Sequence, residues 1–180
     1  PVVDVERGRV VGAEALLRWN HGAFGLQHPG RFIGVAEETG TMMEIGAWGL
    51  RTIAAYAARI NRKSPTAVRF ACNVSAIEFT RRDMVAFVEH VLVETGCQAE
   101  WLTLELTENL MVPEPADIRR AFEQLRRLGV NISVDDFGTG YSNLRYLERF
   151  PLSEIKIDRS FVRDVAHSAA KRIIVESVVK

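Results

Sequence analysis

The chain has 180 residues, of which 47% are hydrophobic and 26% are charged, a balance typical of one globular domain with its own core. Its 23 basic residues are matched by 23 acidic residues, which excludes a polymeric nucleic acid held by bulk positive charge. No apolar run is long enough to cross a bilayer, so we expect no membrane contact from this segment. Only two cysteines are present, which favours reduced thiols. The expected location is the cytoplasm, either of a free protein or of a larger membrane-anchored one.

The first predicted element is a β-hairpin. Residues 2–5 and 10–17 are extended runs, and the segment between them contains Gly8, which favours a turn. Glu14 and Arg18 are four residues apart, so we expect both on one face of the second strand.

Helices and strands alternate through the rest of the chain. The periodicity predicts a loop at 20–30, helices at 31–38, 42–60, 80–95, 116–128, 142–149 and 168–180, and strands at 67–73, 101–107, 130–135 and 154–158. Thr41 and Thr80 are expected to begin the second and third of these helices.

This alternation predicts a parallel sheet, either open and doubly wound or closed as a barrel. A doubly wound sheet has strands that are apolar on both faces, whereas these strands keep one polar face. Polar residues near the C-terminal ends of inward-facing strands are typical of a (β/α) barrel of the triosephosphate isomerase type. We therefore predict a single α/β domain over residues 1–180. Because about six strands are visible and a closed barrel needs eight, the barrel is expected to be incomplete and the chain a fragment of a longer protein.

One stretch, residues 134–142, places Asp135 and Asp136 where a strand ends, directly before the turn-forming Phe137-Gly138. Adjacent side chains of a strand point to opposite faces, so both acids can serve one site only at such an end. The alternative is an ordinary surface turn, in which aspartate and glycine are common.

Several residues near the predicted strand ends carry oxygen donors, and none of them carries a thiolate: Glu14, Asn73, Glu105, Asp135 and Asp136. Such a set suits Mg²⁺ or Mn²⁺ better than Zn²⁺ or copper. Asp135 could bridge two ions about 3.5–4 Å apart, as in phosphodiester hydrolases. Lys156 and Arg18 could hold phosphate oxygens.

Some of these residues also have a structural alternative. Glu105 could be a solvated residue on an exposed sheet face, although an alternating β/α pattern leaves few such faces. Glu14 with Arg18, and Lys156 with Asp158, could form simple ion pairs. Cys72 is expected on the face opposite Asn73, which favours a buried core thiol over a nucleophile.

The motif Glu14-Ala15-Leu16-Leu17-Arg18 resembles the signature of EAL domains, the cyclic di-GMP-specific phosphodiesterases of bacterial signalling. The resemblance extends over essentially the whole chain, in the same order, through Asn73-Val74-Ser75, Glu105-Leu106-Thr107-Glu108, residues 135–142 and Lys156-Ile157-Asp158. It implies a TIM-like barrel with an antiparallel strand near its start. It also implies hydrolysis of cyclic di-GMP to linear pGpG with two Mg²⁺ or Mn²⁺ ions.

The resemblance also implies which residues bind the metal ions, because several of the matching motifs contain a residue at a ligand position of the family. Glu14, Asn73, Glu105 and Asp135 are the expected ligands of one ion. Asp135 and Asp136 are the expected ligands of the second.

The remaining motif residues have implied roles in catalysis and substrate binding. Lys156 would orient the attacking water or a phosphate oxygen, with Asp158 as its neighbour in the active site. Leu16 and Arg18 are expected to bind substrate. Glu108 resembles the glutamate that anchors the loop at 137–142, the family's link between active site and dimer interface.

The family normally continues past residue 180 with a strand that bears a second-metal glutamate and a strand with a Gln-Gly pair, so we expect this chain to lack both. The opening strand is expected to be missing or shortened as well. The expected partners are cyclic di-GMP, a second copy in a homodimer, and other signalling domains fused in the full protein. A cyclic di-GMP receptor without catalysis is the alternative function, and a scaffold acting through protein contacts is a third.

Overall fold

Strands and helices alternate along residues 1–111, 116–138 and 149–179, which are described by a computed structural model. The strands are β1 (Val2–Asp4), β2 (Arg9–Ala15), β3 (Trp19–His21), β4 (Gly25–Gln27), β5 (Arg69–Asn73), β6 (Leu102–Thr107), β7 (Asn131–Phe137) and β8 (Glu154–Ile157). The helices are α1 (Ile33–Glu38), α2 (Met42–Asn61), α3 (Ala76–Arg81), α4 (Met84–Thr95), α5 (Ala116–Leu128), α6 (Arg159–Val162) and α7 (Ala169–Val179). Short 3-10 turns lie at Pro29–Arg31, Ala99–Trp101 and Glu108–Met111.

The main sheet has six strands in the order β1-β2-β5-β6-β7-β8. Strand β1 is antiparallel to β2, and every later neighbour in this sheet is parallel. The predicted α/β class with an antiparallel strand near the start is therefore confirmed. Over the described residues the sheet has two edges, β1 and β8.

The parallel register brings the polar residues together at the C-terminal end of this sheet, where the parallel strands finish. Asn73 at the end of β5 pairs with Glu105 of β6, and Thr107 pairs with Asp135 of β7. The N–H of Val74 donates to the carbonyl of Glu105 at 2.9 Å, so the ladder between β5 and β6 continues past Asn73. Because the C-terminal ends of parallel strands lie side by side, acids that are distant in sequence become neighbours.

The sheet has one face that carries polar side chains such as Glu105 and another that is apolar. The apolar face packs against the helices and forms the core. Leu102 and Leu104 of β6 are fully buried, as is Phe122 of α5. Phe122 also makes edge-to-face contacts with Phe79 and Phe150, with ring centroids 5.2 Å apart in each pair. Burial of a side chain of this size stabilises the fold by about 1.5–3 kcal/mol, so this face holds the sheet against its helices.

The prediction of a single helix at 80–95 is wrong at its start, because residues 76–95 form α3 and α4. Two helices occupy the segment, because both Ser75 and Asp83 act as N-caps. Arg82 between them has extended backbone angles, which end α3 before α4 begins. Gly96 ends α4 as predicted, with the left-handed φ of 64° that glycine adopts without a steric cost.

Three other expectations differ from the structure. Within the predicted loop at 20–30, β3 and β4 pair as a small antiparallel hairpin, and Trp19 packs edge-on against His21 and Phe32. The hydroxyl of Thr41 lies 3.0 Å from that of Thr39 and makes no capping bond to α2. Strand β2 ends at Ala15, so Arg18 lies beyond the strand that was predicted to carry it with Glu14.

The short helix predicted at 142–149 falls almost entirely outside the described residues. In the part of the chain that is described, no helix is both long enough and apolar enough to cross a membrane.

Candidate metal and active site

Three carboxylates from three strands surround the ammonium group of Lys156. Its Nζ lies 3.2 Å from Oε2 of Glu14, 3.0 Å from Oε2 of Glu105 and 3.2 Å from Oδ1 of Asp135. Each acid offers one oxygen within 4.8 Å of the other two. We call Glu14, Glu105 and Asp135 the acidic trio.

Glu14 is held by partners at both of its oxygens. Nδ2 of Asn73 donates to its Oε1 at 3.0 Å, while Lys156 donates to its Oε2. Burial alone would raise the pKa of Glu14, but the hydrogen bonds from Asn73 and Lys156 outweigh burial and lower it. This carboxylate is therefore charged at neutral pH. The alternative of a Glu14–Arg18 ion pair is not what the structure shows.

Glu105 is the most buried member of the trio, with 3% of its surface exposed. Burial raises its pKa to about 7, against the lowering effect of the hydrogen bond from Lys156. For Lys156, burial acts to lower the pKa, but the hydrogen bond to Glu105 and the surrounding carboxylate charges raise it above its ordinary value. Lys156 therefore carries its positive charge throughout the physiological range.

Asp136 follows the trio's Asp135 but is exposed and has a left-handed φ of 52°. Although the residue as a whole is exposed, its carboxyl group loses part of its hydration in the fold. That loss, followed by the charges of Asp135 and Asp158, raises the pKa of Asp136. Among the described residues, the acids close enough to share one ion are those of the trio, so the structure does not bring Asp136 into that group. The unusual backbone angle turns the chain sharply between the two aspartates and Gly138.

Asp158 caps α6 and does not pair with Lys156. Its Oδ1 accepts a hydrogen bond from the N–H of Ser160 at 2.9 Å. The Ser160 side chain and then this backbone hydrogen bond lower the pKa of Asp158. The simple Lys156–Asp158 ion pair considered from the sequence is therefore not formed.

The two residues expected to bind substrate lie just beyond the end of β2. The side chain of Leu16 is 55% exposed, and the guanidinium of Arg18 is exposed and donates to the carbonyl of Leu17 at 2.7 Å. Among the described residues, the ion pairs of the acidic trio are with Lys156 and not with Arg18. Both remain accessible to a ligand at this edge of the sheet.

Glu108 and Cys72 are both buried. Glu108 begins the 3-10 turn that follows β6, but most of the loop it is expected to anchor lies outside the described residues. Burial, followed by the charges of Glu78 and Glu105, raises the pKa of the Cys72 thiol to about 12, which confirms the expected inert core thiol.

One feature beside the site was missed in the sequence. Ser75 and Glu78 form a capping box at the start of α3, immediately after Asn73-Val74. The sequence signal was present, since a serine followed three residues later by a glutamate is typical of this motif.

The residues present fit a divalent metal ion. The trio supplies three carboxylates, which are hard donors of the kind that such ions prefer. With all its members ionised the trio carries three negative charges, which one lysine compensates only partly. The carboxylate cluster could therefore hold a metal ion.

Comparison with known proteins agrees with this geometry. The EAL domain family matches the chain over residues 1–180. The bifunctional diguanylate cyclase/cyclic di-GMP phosphodiesterase MucR of Pseudomonas aeruginosa is 38% identical over 179 residues, which cover 99% of this chain and 26% of MucR. The cyclic di-GMP phosphodiesterase NbdA of the same organism is 37% identical, over 99% of this chain and 23% of NbdA. The chain thus spans about a quarter of the length of these curated relatives.

Solved structures show the same fold. The MucR phosphodiesterase in its c-di-GMP complex superposes with a TM-score of 0.92 at 38% identity, covering 98% of this chain and 72% of that chain. The EAL enzyme Bd1971, bound to cAMP and cyclic di-GMP, gives a TM-score of 0.86 at 35% identity, covering 98% of this chain and 49% of that chain. This agreement confirms the predicted TIM-like α/β fold, with the sheet of this chain as part of the barrel. The chain belongs to the EAL domain family.

Proposed function

We propose that this chain is the catalytic part of a metal-dependent phosphodiesterase that hydrolyses cyclic di-GMP to linear pGpG. The observation that carries the proposal is the acidic trio around Lys156 at the C-terminal edge of a parallel sheet. The relatives MucR and NbdA support the proposal, because both are named as cyclic di-GMP phosphodiesterases.

The metal would be Mg²⁺ or Mn²⁺, the ions that suit an all-oxygen donor set. Glu14, Asn73, Glu105 and Asp135 would hold one ion, and Asp135 with Asp136 would hold the second. When bound, such ions provide a water nucleophile and neutralise the charge that develops on the phosphoryl oxygens.

The other site residues would bind and orient the substrate. Lys156 is charged, part-buried and fixed by three partners, so it can hold the attacking water or a phosphate oxygen in one position. Arg18 and Leu16 are exposed beside the site and would contact a phosphate and the nucleotide. Asp158 supports this edge by capping α6, and Glu108 would support the loop after β7.

The reaction inserts water across one phosphodiester bond. The water oxygen bonds to phosphorus, the bond from phosphorus to the ribose 3′ oxygen breaks, and that oxygen receives a proton. The product keeps the second phosphodiester bond and carries a 5′ phosphate, which is linear pGpG.

We also propose that residues 1–180 act as a single unit that works as a homodimer, within a protein that carries further signalling domains. The proposal of further domains is supported by the greater length of the relatives, of which this chain matches about a quarter. A molar-mass measurement on the full-length protein with and without cyclic di-GMP tests the dimer, and a monomer under both conditions would reject it.

The decisive experiment is a hydrolysis assay on the full-length protein with cyclic di-GMP and either Mg²⁺ or Mn²⁺. We expect pGpG to accumulate with each ion and to cease forming when EDTA is added. Binding of cyclic di-GMP without turnover in either ion would reject the enzyme and favour the alternative, a receptor that signals by binding.

A further inference from the structure

Glu78 is a buried carboxylate outside the acidic trio, with only 2% of its surface exposed. Its Oε2 accepts a hydrogen bond from the N–H of Ser75 at 3.2 Å, and Oγ of Ser75 accepts one from the N–H of Glu78 at 3.2 Å. These reciprocal bonds satisfy two backbone donors and fix the first turn of α3. A surface capping box does the same without burying a charge, so the burial of Glu78 calls for a further reason.

Helix α2 is shaped to receive this carboxylate. A Cβ added at Gly46 would collide with the Glu78 side chain, so only glycine leaves the space that the carboxylate occupies. One turn later in the chain, the guanidinium of Arg82 donates to the carbonyl of Met43 at 2.6 Å and lies 4.2 Å over the ring of Phe87. Helix α3 is therefore held against α2 near both of its ends.

The clamped turn begins two residues after Asn73. On the other side, Val74 is tied to β6 by its hydrogen bond to the carbonyl of Glu105. Asn73 itself is exposed, and its side chain reaches the acidic trio by donating to Oε1 of Glu14 at 3.0 Å. Because the Asn73 side chain is short and little packed, its position depends on the backbone that carries it.

We propose that Glu78 is a positioning residue for Asn73: the buried carboxylate locks the turn between β5 and α3, and the locked turn holds the Asn73 amide at the metal site. This inference rests on the proposed function, since it assumes that Asn73 serves a bound metal. Without Glu78, the N–H of Ser75 loses its acceptor and the backbone next to Asn73 gains freedom. Supporting residues of this kind tune metal affinity without touching the metal.

The test measures Mn²⁺ binding to the full-length protein by calorimetry, at a temperature well below the unfolding midpoint of every variant. Glu78→Ala is expected to weaken Mn²⁺ binding by about tenfold, the lower end of the effect of losing an outer-shell partner. Glu78→Gln should restore most of the affinity, because the amide oxygen can accept the same hydrogen bond from Ser75.

Asp83→Ala is the matched control. Asp83 caps α4 through a 3.0 Å bond from the N–H of Ala86, and it adjoins no residue of the proposed site. This variant should lower the melting temperature while leaving the Mn²⁺ affinity unchanged. A loss of affinity equal to that of Glu78→Ala would show a general effect of stability and would overturn the proposal.

A double-mutant cycle with Asn73→Ala decides whether Glu78 acts through Asn73. In the Asn73→Ala background, Glu78→Ala should change the affinity by less than about twofold. Fully additive effects, or an unchanged affinity in folded Glu78→Ala, would overturn the proposal. If Glu78→Ala does not fold, Ser75→Ala opens the same capping box and must also weaken Mn²⁺ binding.

Failure of the proposed function would look different. In that case the unmodified protein would neither bind Mn²⁺ nor hydrolyse cyclic di-GMP. The inference on Glu78 fails alone if the unmodified protein does both and the Glu78 variants match it.

Discussion

Lys156 lies among three carboxylates that would otherwise repel one another. Its ion pairs with Glu14, Glu105 and Asp135 are 3.0–3.2 Å long, and its side chain is 27% exposed. One lysine cannot neutralise three acids, so the group retains an attraction for further positive charge. At the scale of single residues, this uncompensated charge is the physical basis for a metal site.

Glu14→Gln removes one negative charge while keeping the size of the side chain. We expect metal-dependent turnover of cyclic di-GMP to fall by more than about a hundredfold, because even outer-shell partners of a metal typically contribute tenfold to a hundredfold. The free energy of unfolding should change by less than about 1 kcal/mol, since the side chain is partly solvated. Parallel assays of turnover and urea unfolding measure both quantities.

Glu94→Gln is the control for that substitution, because Glu94 forms an exposed ion pair with Arg51 at 3.1 Å, outside the acidic trio. It should leave turnover unchanged. Proportional losses of turnover and stability in Glu14→Gln would contradict a specific role of Glu14 in the site.

Glu105 predicts a pH dependence of stability in the metal-free protein. Its pKa of about 7 in the fold lies above the ordinary glutamate value of 4.5, so the folded state binds more protons between these values. Its contribution is therefore complete below about pH 4.5 and is lost as the pH rises through 7. Between pH 5 and pH 8 the loss is about 2–3 kcal/mol. Urea unfolding in EDTA at pH 5 and pH 8 measures the change.

The comparison with Glu105→Gln isolates this contribution from that of every other titrating group. The variant should lose less stability than the unmodified protein between pH 5 and pH 8. Identical losses in the two proteins would show that Glu105 titrates in the fold as it does in the unfolded chain.

At the scale of elements, helix α2 shows how one glycine can be required and its neighbour replaceable. Gly46 faces the Glu78 carboxylate, whereas a Cβ at Gly49 would meet nothing within 4 Å. Both lie inside one helix, so their intrinsic cost to helix stability is the same. The difference between them belongs entirely to tertiary packing.

Gly49→Ala should therefore raise the free energy of unfolding by about 0.5–1 kcal/mol, the gain of alanine over glycine in a helix. Gly46→Ala should lower it by about 1–3 kcal/mol, because the added methyl group forces a buried neighbour to move. Urea unfolding of the two variants, made as a pair, tests the prediction. Equal effects at both positions would contradict the packing of Glu78 against α2.

The elements also show where sequence patterns succeed and where they fail. Helix α5 has the predicted bounds, since its apolar stripe and the following Gly129 are local signals. The break between α3 and α4 was missed because Thr80 was interpreted as the first residue of one helix, whereas Ser75 and Asp83 cap two separate helices. Strand β2 was predicted too long because its apolar run continues past the last residue that pairs with β5.

At the scale of the whole molecule, metal binding should be coupled to folding. The acidic trio comes from β2, β6 and β7, which converge only in the folded sheet. A ligand that binds only the folded state stabilises it by about 2.7 kcal/mol at a hundred times its dissociation constant. The site is therefore linked to the pairing of the whole sheet.

Mn²⁺ at that concentration should raise the melting temperature by roughly 5–10 °C, as this free energy implies for a chain of this size. Calorimetric scans with Mn²⁺ and with EDTA measure the shift. Glu14→Gln should show a much smaller rise. An equal rise in the variant would place the stabilising ion elsewhere in the protein.

The sequence by itself determined the alternation of strands and helices, the antiparallel start of the sheet, and the family to which the chain belongs. These features depend on local periodicity, turn residues and motif order, which are read along the chain. The acids and the lysine of the site could be named for the same reason, because each stands in a motif.

Only the tertiary structure decided which of those residues meet. It placed Lys156 between Glu14, Glu105 and Asp135, left Asp136 outside that group and turned Asp158 into a helix cap. It also buried Glu78 against Gly46. These outcomes depend on strand register and on contacts between distant segments, and neither is contained in the spacing of residues along one element.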